Sequence, residues 1–243
     1  MKFRAARTDQ PSLALRAEHP WQSSDQNGST IELLPSERTE LLLLGELLTV
    51  KAHSAPIFMQ GERAKHLYYL DEGVVQGRHT IRNGVRQSVA LFWPGDFFGL
   101  PRDGCFFNSA EAVTNCTAYK FPIKDLEKYL PRRPRIQQKL LLKASHDIRL
   151  AQRRLIVMGA LDVTRRLAVF LVDCCGHAQH FDDENQVLTV PISRHDIADH
   201  IGTSAETVTR AMKTLEKKGL VRRITPWQLE LRMSELFAFS GLD

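Results

Sequence analysis

Glu206 and Arg210 stand four residues apart in the segment AETVTRAMKTLEKK, with Thr209 beside Arg210 and Lys213 and Lys217 continuing the stripe. Four residues make about one helical turn, so a helix here sets a carboxylate beside a guanidinium. That pair matches the edges of nucleic-acid bases. A carboxylate accepts from the cytosine N4 amino group, and a guanidinium forks onto guanine O6 and N7. The Thr209 methyl suits a thymine methyl, its hydroxyl suits a base or phosphate, and the lysines suit backbone phosphates. Two plainer roles fit parts of the same pattern. Thr203 with Glu206 satisfies a capping box, and Glu206 with Arg210 satisfies an exposed i,i+4 pair of about 0.2–0.5 kcal/mol.

The stripe needs elements to hold it. Ser193, with Asp196 three residues on, marks the start of a first helix that buries Ile197, Ala198 and Ile201. Gly202 suits the left-handed backbone of a helix end, and Thr203 or Ser204 caps the helix that follows. Val208, Met212 and Leu215, spaced four and three apart, form its buried face. Two helices about a glycine turn, the second with a basic outer face, make a helix-turn-helix for the major groove of double-stranded DNA. Its DNA-facing set is Ser193, Arg194, Ser204, Glu206, Thr207, Thr209, Arg210 and Lys213. After Gly219, residues 220–224 and 228–231 alternate as two strands and form a wing. Ahead of the head, residues 182–185 read as a loop and 187–190 as a short strand.

Residues 135–158 run without Gly or Pro, with Ile136, Leu140, Ala144, Ile148, Ala151, Leu155 and Met158 at steps of four or three. A long helix with so narrow an apolar seam suits pairing with its own copy, and reading by a helix-turn-helix takes two half-sites. Packing on the chain's own sheets is the alternative. A second helix over 162–172 follows Gly159.

Between 50 and 122 the pattern is strand-like. Apolar stretches at 55–59, 67–70, 74–75, 88–92 and 117–121 alternate with Gly61, Gly73, Gly77, Gly84, Gly95 and Gly99, as in a small antiparallel barrel or roll. Asn83-Gly84 signals a hairpin. A short helix is expected over 37–48, with Ser36 as N-cap and Glu37 and Glu40 in its first turn. Residues 1–30 read as a flexible polar tail. The division expected is therefore tail 1–30, strand domain 31–131, dimerisation helix 132–160 and DNA-binding domain 161–243.

With 243 residues, 43% of them hydrophobic, the chain can bury more than one core. A net charge of +5 permits a polyanionic partner. The longest apolar run, residues 167–172, is far shorter than the roughly 20 residues that cross a bilayer, and no secretory signal opens the chain. No membrane partner and a cytoplasmic setting are expected. Cys105, Cys116, Cys174 and Cys175 form no C-x-x-C pair, so neither a zinc ribbon nor a thioredoxin-like motif is present. The expectation is buried thiols acting as small hydrophobes, with any redox role of Cys116, Cys174 or Cys175 left open. No nucleophile–base pair, phosphate loop or metal constellation appears, so no catalytic residue, metal or cofactor is expected. His195 and Asp196 are neighbours, but adjacent helical positions point apart.

The words SRHDIADHIG, ETVTR and LEKKGLV resemble the CRP/FNR family of bacterial transcription regulators, and QGERAKHLYYLDEG and WPGDFFGL extend the likeness over residues 31–235. The resemblance implies an α+β chain: an N-terminal antiparallel double-stranded β-roll, a long dimerisation helix and a C-terminal winged helix-turn-helix. It implies a homodimeric activator that recruits RNA polymerase, with Glu206 and Arg210 at the two main base-reading positions. Ala205 replaces the arginine of the cyclic-AMP branch, and Thr209 replaces the serine of the FNR and FixK branches, which together suggest a TTGA-type half-site. Phe98-Gly99-Leu100 lacks the glutamate of the cyclic-AMP branch, and Asn108-Ser109 replaces its Arg-Ser pair. A buried cyclic phosphate without its cation is poorly compensated. Residues 1–104 contain no cysteine for FNR's oxygen-sensing cluster. Control by a small molecule, by haem or nitric oxide, or by cyclic nucleotide through the roll is the alternative.

Overall fold

A computed structural model describes residues 35–241, apart from 83, 85 and 178. The expected tail over 1–30 and the Asn83 half of the hairpin signal lie outside them. The described part opens with helix α1 (Pro35–Leu42) and nine strands: β1 (Glu46–Val50), β2 (His66–Glu72), β3 (Val75–Thr80), β4 (Arg86–Phe92), β5 (Phe97–Phe98), β6 (Pro101–Arg102), β7 (Cys105–Phe106), β8 (Ser109–Ala112) and β9 (Cys116–Pro122). Helix α2 (Ile123–Tyr129) and a 3-10 turn (Leu130–Arg132) lead into the long helix α3 (Pro134–Ala160) and then α4 (Val163–Cys175). The C-terminal part holds β10 (Phe181–Asp182), β11 (Val187–Thr189), α5 (Arg194–Ile201), α6 (Ala205–Lys217), β12 (Val221–Arg223), β13 (Gln228–Leu231) and α7 (Met233–Ser240).

The N-terminal strands form a four-stranded sheet in the order β1-β9-β2-β5, a three-stranded sheet β4-β3-β8 and the pair β6-β7. All their ladders are antiparallel. Among the described residues no ladder joins one sheet to another, so the strands do not close into a barrel. Phe58, Tyr68, Phe98 and Phe106 fill the space they enclose. Phe58 and Phe106 stack at 3.8 Å, and Phe92 lies 5.4 Å from Phe98. A second core gathers α4, α5, α6 and α7 around Leu167, Leu171, Ile192, Leu215 and Leu236. Val74, Trp93 and Val113 of the sheet region belong to that second core as well. The two halves therefore share apolar contact.

Several expectations need correction. The helix expected over 37–48 stops at Leu42, and residues 46–50 form β1 against β9. Gly45 ends the helical run, and the partner strand supplies a ladder that suits β-branched Thr49 and Val50. Ser36 is consequently a helical residue, not the cap, because the helix starts at Pro35. Residues 55–59 form no strand beyond a single bridge from Phe58 to Ala110. The strand expected at 74–75 extends to Thr80 and pairs with β4 as the hairpin that Gly84 (φ +80°) turns. The second helix extends past 172 to Cys175, its start capped by Asp162, which accepts from the Thr164 and Arg165 N–H groups at 2.9 and 3.1 Å.

The long helix appears where expected, but its apolar stripe is divided. Ile136 is fully buried against its own chain and Leu140 is half-buried. Met158 packs beneath Gly202 at the other end. Exposed apolar residues on α3 are Leu141, Ile148, Leu155 and Ile156, with Ala151 on the same side and Ala144 half-buried. The open face thus runs Leu141, Ile148, Leu155 at intervals of seven, one position off the expected phase at its start. Ile136 and Met158 share the expected period yet face their own chain, because a bare period cannot say which of two partners a stripe meets.

Candidate nucleic-acid interface

Helix α5 begins at Ser193, whose Oγ accepts from the Asp196 N–H at 3.2 Å and donates to the Asp196 carboxylate at 2.5 Å. It ends at Gly202 in the left-handed conformation (φ +69°, ψ +52°), a backbone that glycine adopts without steric cost. Of the two cap candidates for α6, Ser204 is the one: its Oγ accepts from the Thr207 N–H at 3.3 Å. Thr203 is therefore not half of a capping box with Glu206. Val208, Met212 and Leu215 are buried as expected, with Ala211 beside them. Ile197, Ala198 and Ile201 line the facing side of α5.

The opposite face of α6 is open. Ser204, Glu206, Arg210 and Lys213 are exposed, as is Arg194 at the start of α5, while Ser193, Thr207 and Thr209 are half-buried. Arg210 donates to the Thr207 hydroxyl at 2.8 Å, and among the described residues no ion pair joins it to Glu206. Neither group is spent on the other, so each keeps exposed capacity for an outside partner. The backbone N–H of Glu206 and the Ser204 hydroxyl hold the Glu206 carboxyl below the ordinary carboxylate range, with His195 and Arg210 adding to the effect. Glu206 is an acceptor at neutral pH. The Thr209 hydroxyl donates back to the Ala205 carbonyl at 2.9 Å, so its methyl is the group left for a base. The wing is β12 and β13, paired Val221 to Leu231 and Arg223 to Leu229. Its two arginines are each held by a carboxylate, Arg222 by Glu230 and Arg223 by Glu216.

One residue that positions the turn escaped sequence reasoning. Arg166 of α4 donates to the carbonyls of Met158 (2.7 Å), Leu161 (2.9 Å) and Ile201 (3.3 Å), tying α3 and α5 together just behind Gly202. No local spacing announces this, because the bonds reach as far as thirty-five residues along the chain. Helix α7, which packs on α4, was also missed. Cys116, Cys174 and Cys175 are buried, and burial pushes all three thiols up from their ordinary value. Thiols in that state are inert as nucleophiles. His195 is exposed and Asp196 buried, so the two do not form a dyad. Among the described residues no cluster of three His, Cys, Asp or Glu side chains can hold a metal, and no helix is long and apolar enough to cross a membrane.

Comparison with known proteins agrees with this geometry. Residues 165–233 match the Crp-like helix-turn-helix domain, and residues 49–133 match the cyclic nucleotide-binding domain. Nitrogen fixation regulation protein FixK of Rhizobium meliloti is 30% identical over 165 residues, covering 68% of this chain and 73% of that protein. Transcriptional activatory protein AadR of Rhodopseudomonas palustris is 27% identical over 190 residues, covering 78% and 79% respectively. The structure of FixK2 from Bradyrhizobium japonicum shares the fold with a TM-score of 0.74 at 24% identity, covering 82% of this chain and 98% of that one.

Proposed function

The chain belongs to the CRP/FNR family of transcriptional regulators, close to its FixK/FNR branch, and from that premise we propose that it reads a palindromic TTGA-type site as a homodimer, activating transcription by recruiting RNA polymerase and without cyclic AMP. The chain is a DNA-binding regulator and not an enzyme. The observation that carries the proposal is the open face of α6. Glu206 and Arg210 stand one turn apart, exposed and unpaired with each other, above a turn held by Gly202.

In this reading Glu206 accepts from a cytosine amino group and Arg210 forks onto a guanine. Thr209 offers its methyl to a thymine. Ser193, Arg194, Ser204, Thr207 and Lys213 meet phosphates and fix the register. The two sheets are the halves of the β-roll. The dimer seam is the open face of α3, namely Leu141, Ile148, Ala151 and Leu155 with Ala144 beneath, and a second copy of that face covers it. Independence from cyclic AMP is supported by the sheet interior. Phe58, Tyr68, Phe98 and Phe106 occupy it, and Asn108 brings no cation for a cyclic phosphate. The experiment is binding to a TTGA palindrome and to singly mutated half-sites. Arg210→Ala should cost about 1–3 kcal/mol and blur selectivity at its guanine; unchanged discrimination by that variant removes the assignment.

The match of residues 49–133 to the cyclic nucleotide-binding domain favours a second reading, in which the sheets receive a small molecule that controls the head. Calorimetry with cyclic AMP and cyclic GMP separates the two, since micromolar binding would overturn the reading of Asn108.

A further inference from the structure

Helix α5 does not face DNA with its inner side. It packs on β4 of the three-stranded sheet, and arginines from three other elements grip it at both ends. At its start, Arg78 of β3 places one guanidinium nitrogen 3.0 Å from the Asp196 carboxylate and 3.1 Å from that of Asp199. The same guanidinium holds Glu111 of β8 at 3.3 Å and donates to Gln76 Oε1 at 2.8 Å. Gln76, fully buried, donates in turn to the Asp196 carbonyl at 3.4 Å. At the far end, Arg154 of α3 donates to the His200 carbonyl at 2.6 Å and to the Ser88 carbonyl of β4 at 2.8 Å, with His200 Nδ1 2.9 Å away. Arg166 holds the next carbonyl, Ile201.

We propose that Arg78 and Arg154 are positioning residues for DNA reading: they lock the head to the sheet and long helix of its own chain, and so fix the distance and rotation between the two reading helices of the dimer. This rests on the dimeric DNA-reading function proposed above and adds the residues that set its half-site spacing. The physical reason is the placement of charge. The Asp196 side chain is 4% exposed, and Arg78 is its close cation, with His53 only within 4.0 Å. Without Arg78, Asp196, Asp199 and Glu111 lose the guanidinium they share; among the described residues Arg86 still pairs with Glu111, and of basic side chains Asp196 keeps only the His53 ring at 4.0 Å. A buried carboxylate left without its cation is strongly unfavourable. It regains water only if α5 lifts from the sheet. None of these arginine bonds reaches Glu206, Thr209 or Arg210, although Ser193 also donates to the Asp196 carboxylate. The lock therefore governs where the heads point, not what each one reads.

Spacing is the readout that a merely stabilising role would leave alone. Adding one base pair between half-sites moves them about 3.4 Å apart and rotates one by about 35°. A locked head cannot follow that change, and a released one can. The full-length protein would be titrated by fluorescence anisotropy against TTGA palindromes whose spacers differ by one base pair either way, with thermal unfolding run alongside. Wild type should prefer its best spacing by about tenfold or more. Arg78→Gln should lower that preference to about threefold or less, while single-base discrimination within a half-site stays as in wild type. Arg78→Lys, which keeps a cation for Asp196, should restore at least half of the preference.

Asp199→Asn guards against a folding failure of Arg78→Gln. Its carboxylate is 43% exposed, so the variant folds, and it should relax the spacing preference in the same direction. Arg154→Lys should do the same from the other end of the helix. Variants that bind with the wild-type spacing profile would overturn the lock and leave the DNA reading standing. Wild-type protein with no preference for any palindrome would instead overturn the reading on which the lock rests.

Discussion

Gly202 offers the most direct test of how the head is built. Its backbone has φ +69°, and a Cβ added there would overlap the terminal methyl of Met158, whose sulfur lies 3.8 Å away. Two costs follow for Gly202→Ala. The left-handed conformation costs an alanine about 1–2 kcal/mol. Driving the Met158 side chain out of its rotamer adds about 1 kcal/mol. The sum is about 2–3 kcal/mol, measurable by urea unfolding followed through tryptophan fluorescence. The two parts separate in a double-mutant cycle. Combining Gly202→Ala with Met158→Ala should recover the clash and leave the strain, giving a coupling of about 1 kcal/mol. If Gly202→Ala unfolds within about 0.5 kcal/mol of wild type, the left-handed turn is not what holds α5 and α6 at their angle. If the two substitutions simply add, Met158 does not sit beneath the turn and returns to the candidate dimer seam.

Three further outcomes are expected. Ile148→Glu with Leu155→Glu puts two carboxylates on the face of α3 that is open in the single chain, and should yield a monomer by sedimentation, with operator affinity down about tenfold or more and a melting temperature that no longer depends on protein concentration. Lys213→Ala should weaken all DNA sequences alike and lower the slope of log affinity against log salt by about 1, and a sequence-dependent loss would move Lys213 from phosphate to base. Stability should fall as pH drops from 6.5 towards 4. Burial, with Trp93 stacked at 4.2 Å, holds His177 down to about 4, and burial beside Arg154 lowers His200 as well. The unfolded chain then binds protons that the folded one refuses, so stability is full above the ordinary histidine value and lost below it. Melting curves of His177→Phe, which keeps a ring against Trp93, should show a shallower fall, and an unchanged slope would refute the assignment.

The head was the legible part because its signals are local. Ser193, Gly202 and the Val208, Met212, Leu215 spacing each act within one or two turns, and each landed where expected. The strand region was read in outline only. The two-residue strand β5 owes its form to a partner far along the chain, as when Tyr69 pairs with Phe97. Leu41 to Leu44 look helical alone, but the ladder to Lys120–Cys116 claims the residues just after Gly45. The phase of the α3 seam failed for a related reason. Ile136 and Met158 obey the period yet face their own chain. The grip of Arg78 on Asp196 spans 118 residues and leaves no periodic trace at all.

The interval of seven between Leu141, Ile148 and Leu155 has a geometric consequence. A straight helix turns once in about 3.6 residues, so a seven-residue repeat slips about 20° per interval around the axis. Over the two intervals of this face the slip reaches about 40°. Two such helices, paired as proposed, stay in contact along this face only by coiling about each other with a left-handed twist. In the proposed homodimer, the hand in which the two long helices wind is thus written in three aliphatic side chains.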